Sequence, residues 1–187
     1  MLLWTAAAAA ALAGPACAQS QDAIDVFVSS LDDRMHDLHG RANGNAARIL
    51  AGCRELLPRF LKLDAMAQAA GEDFWNKLSD EQRKTYRAAF ADRMVTECGR
   101  QFANYKGEDI RELGNRTVAG GDKLVMTRVG RGDDAKQIGW RMRGDASAAI
   151  DVIWEGHSAV AKARSEFAAV LQGANGDMAA LIGFMRK

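Results

Sequence analysis

The stretch AAIDVIWEGHSAVAKARSEF, Ala148 to Phe167, decides the fold. Ile150, Val152 and Trp154 alternate with Asp151, Ile153 and Glu155, the period of a β-strand with one apolar face. Gly156 breaks the strand, and Ser158 is a suitable N-cap for a helix. Val160, Ala163, Phe167, Val170 and Leu171 then recur at helical spacing. A sheet face and a helix stripe joined this closely will pack on each other. Function turns on whether anything else fits between them.

Working outward, the segment before this strand carries three more. Ile110–Val118, Lys123–Val129 and Gln137–Arg143 read as strands separated by short turns rich in Gly and Asp, including Gly120-Gly121-Asp122 and Gly144-Asp145. This predicts a four-stranded antiparallel meander. Upstream the pattern is helical. Ser20 to about His39 carries Ile24, Phe27, Val28, Leu31, Met35 and Leu38 on one side, and GRANGN, residues 40–45, reads as a loop. Ala46 to Phe60 is a second helix that Pro58 bends or ends. Asp64 is expected to cap a third. Ser79-Asp80-Glu81-Gln82 is a capping box opening a long helix with the apolar line Tyr86, Phe90, Met94, Cys98, Phe102 and Tyr105. Downstream, Asp177 caps a last helix carrying Met178, Leu181, Ile182 and Met185. The fold class is therefore α+β: a helix-rich N-terminal half (residues 19–105), then a curved four-stranded antiparallel sheet and closing helices (residues 106–187).

The totals exclude several classes of function. The chain has 187 residues, 48% hydrophobic and 26% charged, with a formal net charge of +1. That is enough for a real core in one domain, and too little positive charge for nucleic acid as the main partner. Leu2 to Leu12 is an apolar run too short to span a membrane, and Ala16-Cys17-Ala18 fits a small-x-small cleavage site. Residues 1–18 are thus expected to be a signal peptide cleaved after Ala18, leaving an exported, soluble domain over residues 19–187. Cys53 and Cys98 then remain, both on apolar helix stripes. In an oxidising compartment such a pair forms a disulfide more often than not, the alternative being two buried free thiols.

Candidate chemistry is thin. His36 and His39, with Asp32 and Asp33 a turn earlier, sketch a metal site but read better as a solvated helix face. His157, Ser158 and Glu155 resemble the makings of a triad, but neighbours in sequence rarely point at each other. Asp151 is expected to face outward or to anchor Arg141. No phosphate loop, dinucleotide motif or CxxC is present, so no catalytic residue, metal or cofactor is assigned. What stands out is apolar material converging on the space between sheet and helices. It reads either as a solid core or as a core left hollow for a ligand, with methionines giving it adaptable walls.

The order of short motifs adds to this. Leu63-Asp64-Ala65-Met66-Ala67-Gln68, Phe74-Trp75, Leu78-Ser79-Asp80-Glu81-Gln82-Arg83, Phe90 and Tyr105-Lys106-Gly107-Glu108-Asp109 are followed by Asp151-Val152, Glu155-Gly156-His157-Ser158 and Arg164-Ser165-Glu166-Phe167. In this order, over nearly the whole mature chain, the sequence resembles the periplasmic toluene-tolerance family. Its best-known members are the soluble lipid carriers of the Mla system, which maintains outer-membrane lipid asymmetry. The resemblance implies a periplasmic phospholipid shuttle, not an enzyme. It would serve an inner-membrane ABC transporter complex and an outer-membrane lipoprotein complex. The acyl tails would lie between sheet and helices with the headgroup outside. A hopanoid-associated branch of the family makes a polycyclic lipid the alternative cargo, and an enzyme on an NTF2-like fold is a more distant alternative. The walls of the pocket are then expected from Met66, Phe74, Phe90, Met94 and Phe102 on the helices, Leu124, Met126, Ile138, Trp140 and Met142 on the second and third strands, and Ile150, Val152, Trp154, Val160 and Phe167 in the opening stretch.

Overall fold

The computed structural model describes residues 15–187 other than residue 145. The expected leader therefore lies outside the described residues up to residue 14. The first helix, α1 (Pro15–Ala42), is longer than the apolar stripe suggested at both ends. Gly40 and Arg41 are still helical. The chain turns only where Asn43 and Gly44 take left-handed backbone angles, and Asn45 caps α2 (Ala46–Phe60) by accepting from the Arg48 amide at 3.0 Å. Pro58 sits inside α2, which ends at Leu61 in extended conformation. The chain then runs through α3 (Leu63–Ala70), a single turn α4 (Glu72–Trp75) and α5 (Asp80–Phe102). Lys62 rather than Asp64 occupies the N-cap of α3, and Asp64 lies in its first turn. The capping box of α5 is formed, with Ser79 and Gln82 satisfying each other's amides at 2.9 and 3.2 Å.

The sheet has five antiparallel strands in sequence order, not four: β1 (Ile110–Thr117), β2 (Lys123–Val129), β3 (Lys136–Met142), β4 (Ala149–Trp154) and β5 (His157–Ser158). The fifth arises because Gly156 does not simply end β4. Glu155 and Gly156, both at positive φ (50° and 81°), make a two-residue hairpin turn, and His157 pairs back on Trp154. Ser158 then caps α6 (Ala159–Gly173), its hydroxyl accepting from the Ala161 amide at 2.9 Å, and Asp177 caps α7 (Met178–Met185). The architecture is α+β, with an open antiparallel sheet and seven α-helices among the described residues.

Helix backbone approaches the sheet mainly at β1, which α1 meets, and at β4 and β5, which α6 meets, with α3 also against β4. Leu61 adds a bridge to Ala149, and the Lys62 amide donates to the Ala149 carbonyl at 2.8 Å, so the start of α3 is stitched to β4. A disulfide joins Cys53 of α2 to Cys98 of α5, with Cα atoms 6.0 Å apart.

Candidate functional site

Register sorts the strand residues into two faces. Val125 lies opposite Trp140, which lies opposite Val152, and Thr127, Ile138 and Trp154 form the next row. This inner face looks onto α1 and α2. The Trp140 ring meets Phe27 of α1 edge-on at 5.5 Å, and Phe27 meets Phe60 of α2 at the same separation. Among these six residues the one polar side chain of β2, Thr127, is used up; on β1 the same rows continue into Asn115 and Glu112, which bond each other and Gln21 of α1. The Trp140 indole N–H donates to the Thr127 hydroxyl at 2.9 Å, and that hydroxyl donates to the Ile138 carbonyl at 3.2 Å, all of it buried.

Ile138, Trp140, Met142, Val152 and Trp154 therefore share one face, as the sequence reading required. Leu124 and Met126 do not. They alternate with Val125 and Thr127, so the pleat turns them to the outer face, where with Ile153 they close around Gly139. They cannot line a space under the sheet. Ile150 is the unpaired residue of a bulge between Ala149 and Asp151.

The remaining expected residues other than Phe102 belong to a second apolar group between α3, α4, α5 and α6. Tyr86 is at its centre, 5.3 Å from Phe74, 6.4 Å from Phe90 and 6.1 Å from Phe167, with Met66 fully buried and Val160 buried in the same core. The Tyr86 hydroxyl donates to the Ala67 carbonyl at 2.9 Å, and burial pushes its ionisation far above the ordinary tyrosine range. Met94 is half-buried at the edge of this group. Phe102 is elsewhere, at the C-terminal end of α5 against Tyr105 and His39.

Charged motifs that might have carried chemistry are committed to scaffolding. Asp151 lies on the outer face of the sheet in the row of Leu124 and Arg141, as one of the two expectations had it, but it does not bind Arg141. It is buried and accepts from the Val152 and Val160 amides, at 2.8 and 3.1 Å, and from the Ser158 hydroxyl, which fixes the start of α6 on β4. Arg141 pairs with Asp122 instead, at 2.8 Å. His36 bonds the carbonyls of Asp32 and Gly107, at 2.9 and 3.1 Å, and ties α1 to the loop entering β1; these bonds raise its pKa. No group of residues able to hold a metal ion occurs among the described residues.

Two concavities lie away from the expected pocket walls, among residues of the quoted motifs. A concavity of about 550 Å³ is lined by Gln68, Trp75, Asp80, Arg83, Lys84 and Arg87. A second, of about 400 Å³, shares Gln68 and Trp75 with it and adds Ala65, Ala69, Glu72, Asn76 and Arg143. Together they make a groove between α3, α4, the start of α5 and the turn after β3. Buried residues flank its lining along the chain. Ala65 lines the groove and Met66 is fully buried; Arg143 lines it and Met142 is fully buried. In the sequence Trp75 counts among the apolar residues expected to face the space between sheet and helices, and Phe74-Trp75 among the motifs of the resemblance. The spacing of Arg83 and Arg87, one helical turn apart just after Phe74-Trp75, was the signal available.

Three comparisons bear on this arrangement. No curated protein matches the chain. Among solved structures, it is similar to a phospholipid-binding protein from Ralstonia solanacearum, determined in complex with a phospholipid. The TM-score is 0.67 at 19% identity, over 92% of this chain and 95% of that one. The model of the family described as MlaC protein matches residues 27–187, and by that match the chain belongs to the MlaC family.

Proposed function

We propose that the protein is a lipid carrier that holds acyl chains between the inner sheet face and the helices beneath it. The observation that carries this reading is how the sheet is attached. Helix backbone meets it along β1 and β4, while the space under β2 and β3 is bridged by a few large side chains, Phe27, Phe60 and Trp140. Rotating the Phe27 and Phe60 rings makes an apolar slot without breaking the backbone hydrogen bonds of the frame, while moving Trp140 gives up its indole bond to Thr127. A carrier needs such a slot, because each methylene left in water costs about 0.8 kcal/mol. It needs no catalytic group. In this reading Ile138, Trp140, Met142, Val152 and Trp154 line the slot, Met66 stands beside its entrance, and the groove at Trp75 is the mouth.

Family membership and the phospholipid bound to the Ralstonia protein support a phospholipid as cargo. We further propose that residues 19–187 form the carrier domain and are exported to the periplasm after cleavage at Ala18. There the protein would exchange lipid with an inner-membrane ABC transporter complex and an outer-membrane lipoprotein complex.

Native mass spectrometry of the purified protein, with lipid extraction, tests the reading. The expected result is a co-purifying diacyl phospholipid; a bound hopanoid would redirect the cargo and keep the slot. Protein that is lipid-free and has no affinity for either lipid overturns the proposal. Val152→Trp, which fills the inner face, should reduce retention, and Met126→Trp on the outer face should leave it unchanged.

A further inference from the structure

The groove at Trp75 has a property that acyl chains do not explain. The guanidinium carbons of Arg83 and Arg87 stand 5.5 and 5.0 Å from the centre of the Trp75 ring. Two cations one helical turn apart repel each other. The tryptophan face compensates in part, since an indole attracts cations. Carboxylates nearby do little more: Asp80 reaches one nitrogen of Arg83 at 3.3 Å, and Asp64 lies 4.0 Å from Arg87, largely in solvent. Arg83 also donates to the Trp75 carbonyl at 3.4 Å, which holds its head at the ring. Lys84 and Arg143 complete the cationic lining, and no described group pairs with either. The second carboxylate in the lining, Glu72, is engaged by Arg164 at 2.7 Å.

We propose that this groove binds a phosphate ester, with Arg83 and Arg87 closing on the phosphate oxygens over Trp75, and Lys84 and Arg143 at the rim. Arginine suits the task because its planar fork matches two phosphate oxygens at once. An anion there would turn the repulsion between the two guanidiniums into a shared attraction. The identity of the phosphate's bearer rests on the lipid reading above; the anion site itself does not. A small soluble phosphate is the other source of the same chemistry.

The test uses delipidated protein and four probes: inorganic phosphate, glycerol 3-phosphate, a short-chain phosphatidylglycerol, and the matching diacylglycerol without phosphate. Binding is read by calorimetry and by tryptophan emission, with Trp75→Phe to identify the part of the signal that comes from the groove. The phosphatidylglycerol should bind more tightly than the diacylglycerol and perturb Trp75. Arg83→Ala/Arg87→Ala should weaken phosphatidylglycerol by roughly tenfold or more and leave diacylglycerol unchanged. Arg83→Lys/Arg87→Lys, which keeps the charge and loses the fork, should fall between. Binding of the soluble phosphates at the same residues would identify a general phosphate site; silence from them with a strong lipid effect would identify a headgroup clamp. Equal binding of the two lipids, or an alanine double variant that holds phosphatidylglycerol as tightly as the parent, overturns the proposal and leaves the carrier reading intact. Failure of both lipids to bind would sink the carrier reading instead, while glycerol 3-phosphate binding that disappears in the double variant would still establish the anion site.

Discussion

The inner and outer faces of the sheet are built from alternate residues of the same strands, yet they obey different rules. On the inner face of β2 and β3 Val125, Thr127, Ile138, Trp140 and Met142 are all buried, and the one hydroxyl among them is doubly bonded, while Val152 and Trp154 of β4 on the same face are half-buried. On the outer face Leu124, Met126 and Ile153 are only half-buried around Gly139, and the rows on either side carry Arg116 and Arg141, then Arg111 and Arg128. Chemical type does not separate the two sets, since a methionine stands on each side and the threonine is inside. Pairing register does. A residue's neighbours across the sheet fix its environment, and a shift of one position exchanges the faces.

The largest expected contrast comes from placing the same charge on each face. Trp140→Asp puts a carboxylate among Phe27, Phe60 and Val125 and removes the donor that Thr127 receives. It should cost about 4 kcal/mol or more in urea denaturation, enough to unfold a domain of ordinary stability. Met126→Asp should cost less than about 1 kcal/mol by the same measurement. Similar losses at both positions would mean that the two faces are not distinct.

A middle effect is expected at Asp151, the outer-row position that α6 covers. Asp151→Ala leaves two amides and the Ser158 hydroxyl without their acceptor. It should cost about 2 to 3 kcal/mol, with faster hydrogen exchange in the first turn of α6. A loss as small as that of Met126→Asp would show that this carboxylate does not hold the helix to the sheet.

The smallest effect is expected at Gly139. A methyl there would stand 3.1 Å from the Ile153 Cβ, 3.2 Å from the Leu124 Cδ1 and 3.2 Å from the Met126 Sδ. The half-exposed Leu124 and Met126 side chains can give by a few tenths of an ångström, alanine loses less entropy than glycine on folding, and these gains offset the contact with the Ile153 Cβ, which is fixed to its strand. Gly139→Ala should therefore lie within about 0.5 kcal/mol of neutral in the same denaturation assay. A large loss would mean that the outer face is packed as tightly as the inner one.

These cases also show what could be read before the structure. In β3, KQIGWRM, polar and apolar residues alternate, and the sequence alone places Ile138, Trp140 and Met142 on one face. In β2, KLVMTRV, three apolar residues stand in a row and the inward residue at the next register position is a threonine, so hydrophobicity pointed to Leu124 and Met126, on the wrong side. The fifth strand was hidden because a single glycine reads as a stop until the positive φ of Glu155 beside it is known. The groove was missed for a related reason. Arg83 and Arg87 on a helix look like a solvated face until α4 brings Trp75 under them. The motifs that suggested the family proved to be structural ties: Arg164 donates to the Ala69 carbonyl at 2.8 and 3.1 Å, Glu166 pairs with Arg93, and Phe167 packs on Tyr86.

The bond between Cys53 and Cys98 spans a sequence separation of 45, and that closed circle contains Gln68, Trp75, Arg83, Lys84 and Arg87. A protease that nicked the exposed chain at Asn76 or Lys77 would open the circle without separating its two arms. The severed pieces would stay on one covalent tether, with the groove's side chains still within reach of one another. Only nicking and then reduction would release them, so electrophoresis of the nicked protein with and without a reducing agent would make the circle visible directly.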